Sequence, residues 1–201
     1  MRSLLIWMCF IHPCFIISQN AESLILPDTF IQNTYRQAAA KSILSALIPK
    51  VFFGYFSVCA DGKGYGYGNT FPSLDGHQMS EALCWLGKIN EVLANWDYVK
   101  SFQKPNGQLP LAIFPAHGGK MVGSADIKAA VDSNGGYYNH WVPGNPLRAL
   151  GPVTYIQNAD LIFKFTGSEQ WLDKNIHSIN LAGEYLLTLI DSLGEVGGAG
   201  Y

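Results

Sequence analysis

Apolar residues recur at helical spacing in five segments of the chain, and most of these segments end at glycine or proline. The first segment runs from an N-cap at Asp28 to Pro49, and the second begins at Asp75. A minimal turn near Asn90 leads into the third segment. The fourth segment spans about 152–165, and the fifth segment follows it directly. A period of three to four residues gives each helix one buried face. The pattern therefore predicts five helices, the last four forming two antiparallel hairpins.

The fifth helix carries the longest apolar pattern. Thr166 and Glu169 fit a capping box at its start, and Gly167 fits the C-cap of the helix before it. We therefore predict that Thr166 caps the fifth helix. Its apolar residues, which we predict to be buried, are Leu172, Ile176, Ile179, Leu186, Leu187, Ile190 and Leu193.

Two long segments rich in glycine, proline and aromatic residues separate the predicted helices. They cover residues 49–74, in which 51–59 favours a short strand, and residues 104–151. Helix connections usually have about 2–8 residues, and loops beyond about 15 are usually functional. Each hairpin also ends in a Gly–polar–apolar phrase, at 107–109 and 194–196. The short turns are therefore expected at one end of the helical array and the long loops at the other.

Composition excludes two functional classes. The chain of 201 residues is 48% apolar and 14% charged, with a formal net charge of −2. Disorder requires low hydrophobicity together with high net charge, and a nucleic-acid-binding face requires a basic excess. The sequence therefore predicts a folded domain without a nucleic-acid partner.

The N-terminal segment has the order of features that is typical of a secretory signal. Arg2 precedes the apolar run 4–17, and a small polar stretch follows as far as Ala21. The run is shorter than the roughly 20 residues of a membrane-spanning helix, and a retained anchor is the alternative. We expect residues 1–21 to be a cleaved signal and 22–201 to form one secreted or periplasmic domain, without membrane attachment after cleavage.

The remaining cysteines and the histidines give no framework for a metal or a cofactor. Beyond the signal, Cys59 and Cys84 can form one bridge in an oxidising compartment, and buried free thiols are an equal alternative. The histidines lack zinc-ligand spacing, and the glycine-rich loop lacks the context of a phosphate-binding or dinucleotide-binding turn. The sequence therefore predicts neither a metal nor a cofactor.

Three phrases stand at the boundaries of the predicted hairpins: FPSLDGHQ at 71–78, KPNGQLP at 104–110 and FKFTGSEQWL at 163–172. They resemble phrases of the six-hairpin glycosidases, a superfamily with glucoamylase-like, trehalase-like and rhamnosidase-like members. The similarity covers about residues 28–201. It implies an all-α fold, in which helical hairpins build an incomplete (α/α)6 toroid. Long Gly-, Pro- and aromatic-rich loops lie on one face of that fold, with minor β-structure in them.

The resemblance implies a glycoside hydrolase of carbohydrate metabolism that acts on an oligo- or polysaccharide. Such enzymes hydrolyse an O-glycosidic bond with two carboxyl groups. The family's toroid has more helices than the five predicted here, and its catalytic carboxylates would fall beyond Tyr201. We therefore expect the chain to be the N-terminal part of such an enzyme. The alternatives are an α/α-toroid polysaccharide lyase and a non-catalytic carbohydrate-binding or scaffold protein.

The first group of candidate substrate-binding residues lies where the second helix begins. Asp75, His77 and Gln78 are placed at its N-terminal end. A carboxylate there can accept hydrogen bonds from sugar hydroxyl groups, and Asp75 resembles the sugar-binding acid found early in such toroids. An Asp at an N-cap also bonds the first N–H groups of its own helix, which is the structural alternative.

The second group comes from the long loops and the fourth helix. Asp132, His140 and Trp141 lie in the second loop, where an indole ring can stack on a pyranose and the polar neighbours can orient hydroxyl groups. Tyr67 adds an aromatic side chain from the first loop, and Gln157 stands near the start of the fourth helix. Tyr65 and Tyr137 are further aromatic candidates for the walls of the cleft. If catalysis lies within this chain, Asp75 and Asp132 are the pair of acids that we nominate.

Overall fold

The structure, a computed structural model, is mostly helical. It describes residues 25–44, 47, 71–72, 77–114, 131–138, 149–190, 192 and 194. The predicted signal at 1–21, the predicted strand at 51–59 and Cys59 lie outside these residues. The helices are α1 (Thr29–Ala38), which continues as a π-helical segment (Ala39–Ile43), α2 (Ser80–Trp85), α3 (Ile89–Lys100), α4 (Leu150–Thr166) and α5 (Glu169–Leu187).

Helix α1 begins at the predicted N-cap. The Asp28 carboxylate accepts hydrogen bonds from the N–H groups of Phe30 and Ile31, at 2.8 and 3.0 Å. The α-helix ends at Ala38, earlier than the predicted stop at Pro49. The apolar spacing of this segment includes Ile31 on its predicted buried face, but Phe30 and Ile31 are 78% and 56% exposed. The first helix therefore contributes less to the core than its apolar spacing indicates.

A left-handed glycine closes the hairpin of α2 and α3. Gly87 has φ 74°, its N–H donates to the carbonyl of Cys84 at 3.0 Å, and the N–H of Lys88 donates to the carbonyl of Leu83 at 2.8 Å. These two bonds form a Schellman motif, which glycine adopts without steric cost. The turn therefore lies at 86–88, and the predicted position near Asn90 is wrong because Ile89 already belongs to α3.

A second left-handed glycine joins α4 to α5. Gly167 has φ 59°, and its N–H donates to the carbonyl of Phe163 at 2.8 Å, as predicted for a C-cap. The N-cap of α5 is Ser168, whose Oγ accepts from the N–H of Trp171 at 3.1 Å. The prediction that Thr166 caps α5 is therefore wrong. The Oγ1 of Thr166 donates to the carbonyl of Ile162 at 2.8 Å and accepts from the N–H of Ser168 at 3.2 Å.

The two hairpins pack side by side with like helices parallel. On α3 and α5, the rings of Trp96 and Trp171 lie 5.0 Å apart, and the ammonium group of Lys100 donates to Asn175 Oδ1. On α2 and α4, the rings of Trp85 and Phe165 lie 5.0 Å apart. The turns at 86–88 and 167–168 therefore share one end of the array. Residues 77, 101, 149 and 188 lie at the opposite end, which we name the long-loop end.

The core lies between the hairpins. Trp96 stacks on Tyr155 with ring centroids 4.3 Å apart, and its indole N–H donates to the Tyr155 carbonyl at 3.1 Å. Other members of the buried cluster are Leu83, Cys84, Val92, Val99, Leu109, Ile113, Ala159, Ile162 and Ala182.

The buried face of α5 differs from the predicted one. Asn175, Ser178, Ala182 and Tyr185 are buried. Lys100, the last residue of α3, donates to Asn175 Oδ1. Gln103, shortly after α3, accepts from the Ser178 hydroxyl at 2.6 Å. These polar contacts set the rotation of the helix. The predicted burial is consequently wrong for three residues, which are 42%, 66% and 41% exposed: Ile176, Leu187 and Ile190.

Loop segments form the minor β-structure that the sequence predicts. Strands β1 (Phe71–Pro72), β2 (Ala112–Ile113) and β3 (Gly136–Tyr137) make an antiparallel sheet in that order. Phe71 pairs with Ile113, and Ala112 pairs with Tyr137. Ile113 also belongs to the buried cluster, so the sheet is anchored to the helices.

Cys84 is a buried free thiol. Burial raises the pKa of this thiol to about 12, and the charge of Glu81 adds to the effect. Of the two alternatives for the cysteines, the structure has the free thiol at Cys84.

Asn95 on α3 is a buried amide whose removal is expected to stabilise the protein. It has no exposed surface, and neither of its side-chain polar atoms has a hydrogen-bond partner among the described residues. An unsatisfied buried polar group costs about 1–3 kcal/mol, so Asn95→Leu should raise the free energy of unfolding by about 1–2 kcal/mol. Chemical denaturation measures this change.

Asn175 on α5 is the matched control for this prediction. It is equally buried, but its Nδ2 donates to the Trp171 carbonyl at 2.8 Å and its Oδ1 accepts from Lys100 at 2.5 Å. Asn175→Leu should therefore lower the free energy of unfolding. A loss of stability in Asn95→Leu as well would show that Asn95 has a partner, such as a buried water.

Candidate functional site

Four of the predicted substrate-binding residues lie outside the described part of the chain: Asp75, Tyr67, His140 and Trp141. Of the nominated pair of acids, Asp132 lies within the described residues and Asp75 outside them, as does the further aromatic candidate Tyr65. The described polar candidates are His77, Gln78, Asp132 and Gln157, and the described aromatic candidate is Tyr137.

His77, Gln78 and Gln157 lie on neighbouring parallel segments. His77 is 3% exposed, and its carbonyl accepts from Asn158 Nδ2 at 3.4 Å. Gln78 and Gln157 are exposed, and Gln157 directly precedes Asn158 on α4. The structure therefore brings the start of the second helical segment beside the middle of α4. The prediction that Gln157 lies near the start of this helix is wrong, because α4 already begins at Leu150. The side chain of His77 lies inside the protein, and those of the two glutamines lie at its surface.

His77 is expected to make stability depend on pH. Burial lowers the pKa of its imidazole to about 4, from an ordinary value near 6.5. Between these values the unfolded chain binds a proton that the folded chain does not. The full stability is therefore present above pH 6.5 and falls as the pH drops towards 4, by up to about 3 kcal/mol. Denaturation curves between pH 4 and 7 measure the slope.

Two glutamine variants isolate this contribution. His77→Gln should flatten the slope relative to the unmodified protein. His177→Gln, at an exposed histidine of α5, should leave it unchanged. Equal slopes in the unmodified protein and in His77→Gln would contradict the assignment.

Asp132, the remaining described candidate, begins a tight turn. The N–H of Gly135 donates to the Asp132 carbonyl at 2.8 Å, and the N–H of Asp132 donates to the Gly136 carbonyl at 2.9 Å. Gly135 has φ 93°. This is a type I turn that ends in a left-handed glycine bulge, for which Asp at the first position and Gly at the fourth are favourable.

The segment that follows α3 forms a turn with the same hydrogen bonds. The N–H of Gly107 donates to the Lys104 carbonyl at 2.8 Å, and the N–H of Lys104 donates to the Gln108 carbonyl at 2.9 Å. Gly107 has φ 86°, and Pro105 stands at the second position, where its fixed φ is favourable. Lys104 and Asp132 are therefore the first residues of two similar turns.

An ion pair joins the two turns. Lys104 Nζ lies 3.1 Å from Asp132 Oδ2, and both side chains are partly exposed. The same ammonium group lies 3.8 Å from the centre of the Tyr138 ring. A cation over an aromatic face is attracted by the ring quadrupole. The pair and the ring thus hold the two turns in a fixed relation.

A groove of about 470 Å³ opens between the turns at the long-loop end of α3. We name it the Lys104–Asp132 groove. Its volume lies in the range of small-molecule sites. It is lined by Ser101, Phe102, Gln103, Lys104, Pro105, Asp132, Ser133, Asn134 and Tyr138.

Tyr138 forms a fixed wall of this groove. Its hydroxyl donates to the Phe102 carbonyl at 2.6 Å. Burial raises the pKa of this phenol, the nearby charge of Asp132 adds to the rise, and a hydrogen bond with Asn134 opposes it. Tyr137, predicted as an aromatic wall, is buried and makes an edge contact with Phe114, at a centroid distance of 6.0 Å. The wall is therefore built by the residue after the predicted one.

Lys104, Asn134 and Tyr138 are groove residues that the sequence reasoning missed. A signal for two of them is present in the chain. The phrases KPNG at 104–107 and DSNG at 132–135 both fit a type I turn with a terminal glycine. Opposite charges at the first positions of two similar turns indicate a pair, but their proximity depends on the packing of the loops.

Comparison of the chain with protein-family models, with curated proteins and with solved structures gives no match. The described residues contain no group of three or more His, Cys, Asp or Glu side chains that could hold a metal ion. Among the helices in the described ranges, none combines the length and the apolar character that crossing a membrane requires.

Proposed function

We propose that the protein is a secreted, carbohydrate-active protein of the α/α-hairpin type that acts as a glycoside hydrolase. The observation that carries the proposal is the Lys104–Asp132 groove, which lies at the long-loop end of two hairpins packed with like helices parallel. Its lining offers the Asp132 carboxylate, the Lys104 ammonium group, and the hydroxyl and amide groups of the exposed residues Ser133 and Asn134. These groups match the hydroxyl groups of a sugar, which both donate and accept hydrogen bonds.

The finer fold that we propose is a toroid in which the hairpins repeat. Gly107 and Gly194 follow the two hairpins at equivalent places and have φ values of 86° and 82°. Gly107 packs against the backbone of α5 at Leu181, whereas no atom of the described residues lies within 4 Å of the corresponding position at Gly194. Ile176 and Leu187 of α5 are also exposed. A further hairpin that packs on α5 as α5 packs on the first hairpin would cover these groups.

Asp132 has a binding role in this proposal. Glycoside hydrolysis requires two carboxyl groups that are about 5–5.5 Å apart for retention and about 6.5–9.5 Å apart for inversion. One oxygen of Asp132 is engaged by the Lys104 ammonium group, at 3.1 Å. We therefore assign Asp132 to the recognition of sugar hydroxyl groups and place the catalytic pair elsewhere. The same ion pair favours the second candidate function, a non-catalytic carbohydrate-binding protein.

The decisive experiment is the hydrolysis of glycosides by the purified protein. A panel of aryl-glycosides and neutral oligosaccharides is expected to include at least one compound from which the protein releases reducing sugar. The signal must exceed that of a preparation that lacks the protein. A rise in ultraviolet absorbance with uronate polymers would instead identify a lyase, because elimination leaves an unsaturated uronate. Saccharide binding without any cleavage would support the non-catalytic alternative and contradict the hydrolase.

A further inference from the structure

The charges of the Lys104–Asp132 groove balance each other. Lys104 and Asp132 are the charged side chains among the residues that line it, and their ammonium nitrogen and carboxylate oxygen are 3.1 Å apart. From this pairing we infer that the groove selects neutral saccharides over acidic ones. The inference rests on the proposed carbohydrate function and names the substrate class for it.

The hydrogen-bonding groups that remain in the groove suit hydroxyl groups. Asp132 Oδ2 faces Lys104, which leaves Oδ1 as an acceptor, and an ammonium group has three donors. The exposed residues Ser133 and Asn134 stand next to Asp132 in the same turn. A hydroxyl group can donate to Asp132 and accept from Lys104 at the same time. A neutral sugar therefore binds without separating the ion pair.

Other polar groups of the lining are already engaged. Gln103 donates to the Ser178 carbonyl at 2.9 Å and accepts from the Ser178 hydroxyl at 2.6 Å. The Tyr138 hydroxyl donates to the Phe102 carbonyl, and Lys104 covers the face of the Tyr138 ring. Recognition consequently depends on the ion pair and on the turn that begins at Asp132.

An acidic sugar meets a less favourable arrangement. A uronate carboxylate that approaches Lys104 competes with Asp132 for the same ammonium group and comes close to a charge of its own sign. Like charges at this distance repel, and this repulsion discriminates between ligands. Among the described residues that line the groove, Lys104 is the one cation, so no second positive charge of that lining offsets the repulsion. Neutral oligosaccharides should therefore bind about tenfold or more tightly than acidic ones of equal length.

Calorimetric titration of the full chain tests this selectivity. The probes are maltotetraose, cellotetraose, xylotetraose and mannotetraose as neutral ligands, and tetragalacturonate as the acidic one. The groove variants are Asp132→Asn and Lys104→Gln. Asp160→Asn removes a comparable ion pair on α4, where Lys164 Nζ lies 2.6 Å from Asp160 Oδ2, and serves as the matched control. Surface ion pairs contribute little to stability, so all three variants should fold, as circular dichroism melting will verify.

The expected results distinguish the roles of Asp132 and Lys104 in binding. The unmodified protein and Asp160→Asn bind at least one neutral tetrasaccharide about tenfold or more tightly than tetragalacturonate. Asp132→Asn lowers the affinity for neutral tetrasaccharides about tenfold. It also reduces the difference in affinity between neutral and acidic tetrasaccharides, because the carboxylate that repels the acid is gone. Lys104→Gln also weakens neutral binding and keeps the discrimination against the acid.

The outcomes that overturn the inference differ from those that overturn the proposed function. The groove assignment is overturned if the protein binds tetragalacturonate as tightly as the neutral tetrasaccharides. It is also overturned if Asp132→Asn and Lys104→Gln both bind neutral tetrasaccharides as tightly as the unmodified protein does. Neither result contradicts a glycoside hydrolase. Selective neutral binding without cleavage supports the groove and contradicts the hydrolase. The absence of binding to every probe overturns both.

Discussion

Gly107→Ala is expected to lower the free energy of unfolding by more than about 3 kcal/mol. Gly107 has φ 86°, a conformation that L-residues adopt only with strain, and a Cβ at this position would overlap the carbonyl oxygen of Leu181 on α5. The obstacle is backbone of a packed helix, so it cannot rotate aside. Both the turn at 104–107 and its contact with α5 must shift. Chemical denaturation followed by circular dichroism measures the loss.

Gly167→Ala is the control that separates strain from overlap. Gly167 has φ 59°, and a Cβ there would meet no atom of the described residues within 4 Å. Its replacement should cost only the left-handed conformation, about 1–2 kcal/mol. If both variants lose the same stability, the close contact between Gly107 and α5 is not present in solution.

Trp96→Ala is expected to cost about 3–5 kcal/mol, the range of large core truncations. The side chain has no exposed surface, stacks on Tyr155 at 4.3 Å, and contacts the edge of Trp171 at 5.0 Å. Its removal leaves a cavity where both hairpins meet. It also removes the indole N–H that donates to the Tyr155 carbonyl at 3.1 Å. Thermal and chemical denaturation both report the change.

Trp85→Ala is the matched control on α2. Trp85 is 62% exposed and makes an edge contact with Phe165 at a centroid distance of 5.0 Å. Its truncation should cost about 1 kcal/mol or less, because little surface leaves the core. A loss as large as that of Trp96→Ala would contradict the placement of the core between the hairpins.

The sequence predicted the elements of the fold better than their rotation and caps. Apolar spacing located the five helices, and Gly167 marked the turn between α4 and α5, whereas the turn between α2 and α3 was predicted near Asn90 and lies at Gly87. The buried face of α5 was wrong because Asn175 and Ser178 are bound by polar groups of the neighbouring segment, and periodicity counts only apolar residues. The cap of α5 shifted from Thr166 to Ser168 because Gly167 occupies the left-handed position between them.

The candidate site was predictable in part. Asp132 was chosen as a loop acid, and the structure places it in the lining of a groove. Its partner Lys104 was missed, because the two residues are distant along the chain and meet through loop packing that no local pattern encodes. His77 was placed at the correct helix end, but its burial depends on the neighbouring α4, which local sequence does not report.

The contact between Gly107 and the backbone of α5 also affects the order in which the chain folds. Each hairpin is closed by a turn of a few residues, and such local contacts form rapidly. The turn at 104–107 reaches its native environment only when Leu181 of α5, more than seventy residues further along, has docked on it. During synthesis the first hairpin can therefore form early, while its exit turn remains without its partner. The groove is then among the last features to assemble, and ligand binding reports on the completed fold.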